Sequence, residues 1–492
     1  VKRGGTLRDV QRLAIDILDP HLASTRNAQF MPLMFDNLLS YKLVDPKTEK
    51  FEVGPGLAES YKVVDPTTME FKLRPGVKYH DGSALDSASV KWNIERASTN
   101  PKSKVKETVR DIKEVQVLDA TTLRFTLKTP SAVLPMQLTS ANPVMVVMVS
   151  KEAVDKLGED KFATAPIGSG PLKLKDWIRD DRVTLEKFTG HWEKGEDGQP
   201  LPYYDGFVSR LITDQSVALV EARTGNIDTF LNIELKDVAT VRSAPDLVAM
   251  QTPGEWTAFP ALYFNPKLGT SYPFSNNQKL RWAAQHAVDR ESMAKALGFG
   301  MAKPAYWPYW YPGMSGYDET LPKREFSLDK TKQYLAEGNL PVGHELEVKV
   351  INRPTDVRPV ELLQGMWATA GIRMKISALD RLPWVDDARS GRFEAAAHSN
   401  TARPDPYLAQ DNRTGSTYNW PGYSNPDVDK LWEQAGAQYD AAQRAETYKK
   451  IQKILYEDAY HVFGYMFPSY AAANKKVKNL TTWYNFRYIW LE

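Results

Sequence analysis

This 492-residue chain predicts a mixed α/β fold spread over several domains, and three observations carry that prediction. At about 150 residues per domain the length corresponds to roughly three domains, because a single hydrophobic core stops growing well below this size. The first half carries hairpins whose arms alternate apolar and polar residues, as half-buried antiparallel strands do. The second half is rich in segments of helical period with short apolar strands between them, one set reading as a βαβ unit.

Taken in order, 5–10 reads as a strand, Asp19-Pro20 as a break, and the stretch through Met31, Met34 and Leu38 as a helix. Two look-alike hairpins follow. In the first, 61–64 and 69–73 flank the turn Asp65-Pro66-Thr67-Thr68; in the second, 115–117 and 123–127 flank Asp119-Ala120-Thr121. Between them a helix begins at Asp86, with Val90, Ile94 and Ala97 on one face. A third hairpin joins 172–177 to 183–188 through the charged turn 179–182. Asp214 can cap a helix that Gly225 ends, and 261–264 is a strand candidate. Helices are expected at 278–288, 290–297, 327–337, 357–370, 427–437 and 440–457, with Gly298, Gly338 and Gly371 as C′ residues and Asn425-Pro426 as cap and first turn. Strands 345–351 and 373–378 bracket one of these helices.

Composition excludes whole classes. Net charge is only +2, so a strongly basic nucleic-acid binder is ruled out. The longest purely apolar run is 144–149, far short of the ~20 residues of a membrane span. There is no cysteine, which removes thiol catalysis, zinc–thiolate sites and disulfides together. The seven histidines show no pair at helical metal-ligand spacing, so neither a metal nor another cofactor is expected. No Gly-x-x-x-x-Gly-Lys-Ser/Thr loop is present, and Gly168-Ser169-Gly170 lacks the Gly-x-Ser-x-Gly spacing of a nucleophile elbow. His80-Asp81 lies between Pro75-Gly76 and Asp81-Gly82 turns, which account for these residues without catalysis.

Several motifs in order resemble the peptide/nickel/opine-type family 5 extracellular solute-binding proteins of ABC importers. They are Gly4-Gly5-Thr6-Leu7, Leu18-Asp19-Pro20-His21, Gly56-Leu57-Ala58-Glu59-Ser60-Tyr61, and the stretch Phe71-Lys72-Leu73-Arg74-Pro75-Gly76-Val77-Lys78-Tyr79-His80-Asp81-Gly82. Later come Pro166-Ile167-Gly168-Ser169-Gly170-Pro171, Leu280-Arg281-Trp282-Ala283-Ala284, and Ala287-Val288-Asp289-Arg290. The resemblance implies a periplasmic-binding-protein-like fold of cluster C type, with two hinged lobes and three domains. It implies a discontinuous domain (1–41, 166–262 and 470–492), an inserted domain (42–165) and a second lobe (263–469). Such lobes close on their ligand by hinge motion. By the same resemblance the protein is no enzyme. It is expected to be a monomer that binds a small molecule, engages ABC permease subunits and no nucleic acid, and works in the periplasm or outside the cell after its export signal is removed. A start at Val1 without an apolar leader fits that expectation.

For the ligand, the sequence departs from the family pattern. Peptide binders of the family carry Gly-Trp-x-x-Asp before an acidic-Pro pair, and that Asp holds the peptide amine. Counted back from Asp405-Pro406, its position falls on Ala402 and the Trp position on Ser399. A buried ammonium would lose its partner, so ordinary peptides are disfavoured and a peptide-like, opine-like or other anionic compound is expected. The resemblance brings the early loop Ser24, Thr25, Arg26 and Asn27 to the ligand, with His398, Ser399, Asn400 and Arg403 opposite; Arg26 and Arg403 suit carboxylate or phosphate. Tyr306 and Trp307, in an aromatic run stiffened by Pro304, Pro308 and Pro312, and Tyr418 and Trp420 offer ring faces. An oligosaccharide-binding transport protein is the alternative within the family. A glycoside hydrolase is the enzyme alternative, although no segment isolates a carboxylate pair.

Overall fold

The structure is a computed structural model. It describes residues 1–23, 30–45, 47, 50–141, 145–269, 272–307, 309–402, 405–408, 412–416, 419–481 and 483–492. Two compact units divide the chain: Val1–Pro253 with Tyr470–Glu492, and Gly254–Ser469. The chain leaves the first unit inside the strand Leu247–Phe264 and returns inside the strand His461–Asn474.

In the first unit, Thr6–Gln11 runs parallel to Gly206–Leu211, which continues antiparallel into Arg182–Lys187 and Leu172–Ile178. The third hairpin is thus an arm of this sheet. Its core gathers Leu7, Phe35, Leu172, Leu185, Phe207 and Phe486. A second core lies among residues 38–148, around Phe71, Phe125, Val90 and Leu134. There the look-alike hairpins join through their second arms, in the order Ala58–Asp65, Thr68–Leu73, Thr122–Leu127, Ile112–Asp119. Their turns close alike. Asp65 accepts from the amide and hydroxyl of Thr67, and Asp119 does the same for Thr121, because an Asx turn satisfies the corner locally. The helix between them, Ser87–Thr99, is capped by Asp86 through the amide of Ser89.

In the second unit, Arg373–Leu379, Glu345–Ile351 and Ala395–Thr401 form a parallel set, and Ala395–Thr401 pairs antiparallel with Leu247–Phe264. The bracketed helix runs Pro354–Thr369, three residues longer at its start than the periodicity shows, because Pro354 takes a first-turn position where no amide is needed. Helices Gln278–His286, Arg290–Leu297, Leu328–Glu337, Pro426–Ala437 and Ala441–Asp458 stand close to their expected places. Two glycine expectations are corrected. Gly298 and Gly338 keep right-handed backbone, and what they supply is space: a Cβ on Gly298 would lie 2.2 Å from that of Ala302, and one on Gly338 2.5 Å from Leu280. The expected helix through Leu38 is also shorter, Met31–Met34, because Phe35 turns extended. Patterning missed the helix Arg381–Ser390 and the strands Ala395–Thr401 and His461–Asn474, the last an almost unbroken buried run without alternation.

Candidate ligand-binding site

The half of the expected site that the structure describes lies in the second unit, on the strand Ala395–Thr401. This strand is interior to its sheet, with Val350 beside Ala397 on one side and Ala261 beside His398 on the other. Its first three residues, all alanine, are buried, and His398, Ser399 and Asn400 emerge half-buried at its far end. Small residues let the neighbouring helix Arg381–Ser390 approach. Trp384 and Ala388, four apart, form that helix's buried stripe.

His398 sits inside a group of rings. Its centroid is 5.3 Å from Trp384, 5.8 Å from Tyr263 and 5.8 Å from Trp420, and the two tryptophans are 5.4 Å apart. The His398 Nδ1 faces the Ser399 carbonyl, which can only accept, so the proton lies on Nδ1 and Nε2 carries the lone pair. Burial among the rings holds this imidazole below its ordinary range, and it is neutral at pH 7.

Behind it stands a residue that sequence reasoning did not single out. His461 is 3% exposed, neither ring nitrogen has a hydrogen-bond partner, and Tyr309 meets it edge-on at 4.6 Å. Burial pushes it down to about 3, and the neighbouring His398 lowers it further by like-charge repulsion. The backbone bond from Phe264 to Tyr460 brings the strands of Tyr263 and His461 side by side. The Tyr263 hydroxyl is likewise buried and unpartnered.

Not every expected residue joins this group. Asn400 is held by Tyr311, whose hydroxyl donates to both its backbone and side-chain oxygens at 2.9 and 2.7 Å. Tyr306 donates to Glu291, and Trp307 donates to the Leu321 carbonyl and meets Tyr317 edge-on, so both pack within their own surroundings. Ser24, Thr25, Arg26, Asn27, Arg403 and Tyr418 lie outside the described residues. Ala402, which the resemblance sets at the place of an amine-binding carboxylate, is buried, and its amide donates to the Trp256 carbonyl. The nearby Asp405 is occupied: it accepts from the Tyr448 hydroxyl at 2.6 Å and the Tyr407 amide, and faces Arg444 at 3.6 Å.

The first unit holds a polar hollow lined by Asp36, Lys42, Trp192, Glu193, Arg487 and Tyr488. Its charges satisfy one another, since Arg487 reaches both Asp36 and Glu193 at 3.0 Å and Tyr488 donates to Glu193. Burial alone would raise the Glu193 carboxyl, but Arg487 and Lys42 bring it down to about 2. Among the described residues no cluster of three or more His, Asp or Glu could hold a metal ion, and no helix is long and apolar enough to cross a membrane.

Known proteins share this architecture. DppA of Helicobacter pylori, solved with the peptide STSA, superposes with a TM-score of 0.84 over 100% of this chain and 99% of its own, at 24% identity. The PBP AgaA from A. tumefacien R10, in complex with agropinic acid, gives 0.83 over 99% of both chains, at 23% identity. The fold is that of the periplasmic binding proteins. In sequence, the glutathione-binding protein GsiB of Salmonella paratyphi A is 28% identical over 398 residues, 78% of this chain and 74% of its own length. The profile "Bacterial extracellular solute-binding proteins, family 5 Middle" matches residues 52–420. With three quarters of its length inside that match and the motifs of both units in order, the chain belongs to the family 5 extracellular solute-binding proteins.

Proposed function

We propose that this chain captures a small organic solute that carries no free α-ammonium at the second unit's site, and passes it unchanged to the permease of an ABC importer. Solute binding for ABC importers, not catalysis, is what family 5 proteins do. The observation that carries the finer reading is the end of the strand Ala395–Thr401. An alanine stands at position 402, and the neighbouring Asp405 is engaged by Tyr448, Tyr407 and Arg444. An ammonium buried there would be unpaired, at a cost of several kcal/mol. A peptide with a blocked or absent amine, an opine-like acid or another anionic compound meets no such penalty, with Arg26 and Arg403 as the partners of its acidic groups. The rings around His398 keep an oligosaccharide as the second reading, because sugar faces stack on tryptophan. The reading includes the three-domain division at 1–41, 166–262 and 470–492; 42–165; and 263–469. It also includes a monomer that is exported, loses its signal peptide, works in the periplasm or outside the cell, and binds no nucleic acid.

Native mass spectrometry of the purified protein, followed by a thermal-shift screen of free and N-blocked peptides, opine-like acids, oligosaccharides and metal chelates, tests this. N-blocked or acidic compounds are expected to raise the melting temperature, and free dipeptides are not. Preference for free dipeptides, or chemical turnover of any bound compound, overturns the reading. Arg26→Ala and Arg403→Ala are each expected to weaken an acidic hit about tenfold; unchanged affinity in both removes these arginines from the site.

A further inference from the structure

Among the buried polar atoms that the second unit leaves unanswered, three lie together beside His398: Nδ1 and Nε2 of His461 and the hydroxyl of Tyr263. Both side chains are almost completely enclosed, at 3% and 1% exposure. A polar group buried without a hydrogen bond costs about 1–3 kcal/mol, so a fold rarely keeps several in one place without use for them. They are neighbours here, because their strands are hydrogen-bonded at Phe264 and Tyr460, and His398 lies close to both. On the outer side the half-buried rings of His398, Trp420 and Tyr309 border the same group.

The chemistry of this set is specific. A neutral imidazole offers one donor and one acceptor, and a phenol hydroxyl offers both. Among the described residues, no hydrogen bond or ion pair joins a charged side chain to His461, His398 or Tyr263. Of the described cations whose field reaches these imidazoles, Arg353 is engaged with Asp356 and Arg281 with the carbonyls of Phe274, Ser275 and Asp458, while Arg389 lies over the Trp420 ring. An ammonium or a carboxylate pressed against these groups would be desolvated without a counter-charge. A flat uncharged group would instead exchange hydrogen bonds in both directions and stack on the rings around it.

We infer that His461 and Tyr263 select the solute by receiving an uncharged planar group that both donates and accepts hydrogen bonds, an amide or a hydroxyl-bearing ring, between the rings of Trp384 and Tyr309. This deepens the proposed function and rests on the solute-binding reading. It makes the two residues specificity determinants, and leaves any acidic end of the same solute to other parts of the site.

Three probes of one shape separate the possibilities: benzamide, benzoate and benzylammonium, titrated by ligand-observed NMR into the full chain and its variants. Tyr263→Phe and His461→Phe are each expected to weaken benzamide at least about fivefold, the value of one hydrogen bond, and to leave the charged probes unchanged. His461→Gln, which keeps a donor and an acceptor, should restore most of the benzamide affinity. Tyr263→Phe should also raise the melting temperature of the unliganded chain, because it deletes an unanswered hydroxyl; a merely structural tyrosine would do the opposite. Absence of benzamide binding, equal losses for benzoate, or unchanged benzamide affinity in both phenylalanine variants overturns the inference. The solute-binding reading stands apart from this test. It survives such a result if native mass spectrometry or the thermal-shift screen finds another solute, and falls if both find none.

Discussion

Arg96 shows how much one side chain organises. Its guanidinium, 4% exposed, reaches the fully buried Asp19 at 2.6 Å and Glu159 at 2.7 Å, and donates to Nδ1 of His21. The other His21 nitrogen donates to the Val147 carbonyl at 2.8 Å, so the ring is a neutral link between a cation and the backbone. The helix Ser87–Thr99 thereby holds the corner Asp19-Pro20-His21. Arg96→Ala leaves the Asp19 carboxylate buried without its partner, and is expected to lower stability by about 3–5 kcal/mol in urea unfolding; a loss below 1 kcal/mol would mean that the pair does not anchor the corner. The sequence displays Leu18-Asp19-Pro20-His21 as a motif. It does not display Arg96, 77 residues further on, because the pairing exists only once the helix has packed.

Among elements, two of the quoted motifs turn out to be halves of one joint. The His80 amide donates to the Gly168 carbonyl, and its Nε2 faces the Gly170 carbonyl, both at 2.9 Å. Asp81 accepts from the amide and hydroxyl of Ser83, closing the turn. His80 is thus tied to a motif that lies 90 residues away, a contact beyond the turns that the sequence displays. The glycines of the partner motif serve close approach: a Cβ on Gly168 would lie 2.1 Å from the Met34 carbonyl oxygen, and one on Gly170 2.5 Å from that of Leu33. Gly168→Ala is expected to destabilise the chain by about 2 kcal/mol or more, read as a lower urea midpoint, since backbone and not a flexible side chain blocks the new methyl. An unchanged midpoint would show that this joint can open without cost. Local signals made the hairpins and capped helices legible. Of the strand Leu247–Phe264 only the end, 261–264, was legible, and His461–Asn474 was not, because an almost wholly buried strand lacks the alternation that reveals half-buried ones.

At the scale of the whole molecule, buried imidazoles make the fold acid-sensitive. Burial holds His21 and His80 at about 4 and His461 at about 3, against 6.5 when unfolded. Below pH 6.5 the unfolded chain takes up protons that the folded chain refuses, so their contribution is complete above that pH and is lost as pH falls toward 3–4. Each histidine costs about 1 kcal/mol per pH unit in that window. Asp9 acts oppositely. Burial raises its carboxyl to about 7, so between pH 7 and 3.8 the folded chain is the better proton binder and gains stability on acidification. His398, held at about 4 by burial, acts in the same direction, so four histidines oppose Asp9 and the urea midpoint is expected to fall between pH 6.5 and 5; His461→Phe should reduce that slope by about 1 kcal/mol per unit. A flat or rising midpoint would show that these imidazoles take up protons in the folded chain. Length, turns, caps and ordered motifs determined the class and the family resemblance, because these depend on local chemistry read in order. Only the tertiary structure decided that His461 and Tyr263 stand unanswered beside His398. Burial and hydrogen-bond satisfaction arise when strands distant in sequence become neighbours, and no local pattern records them.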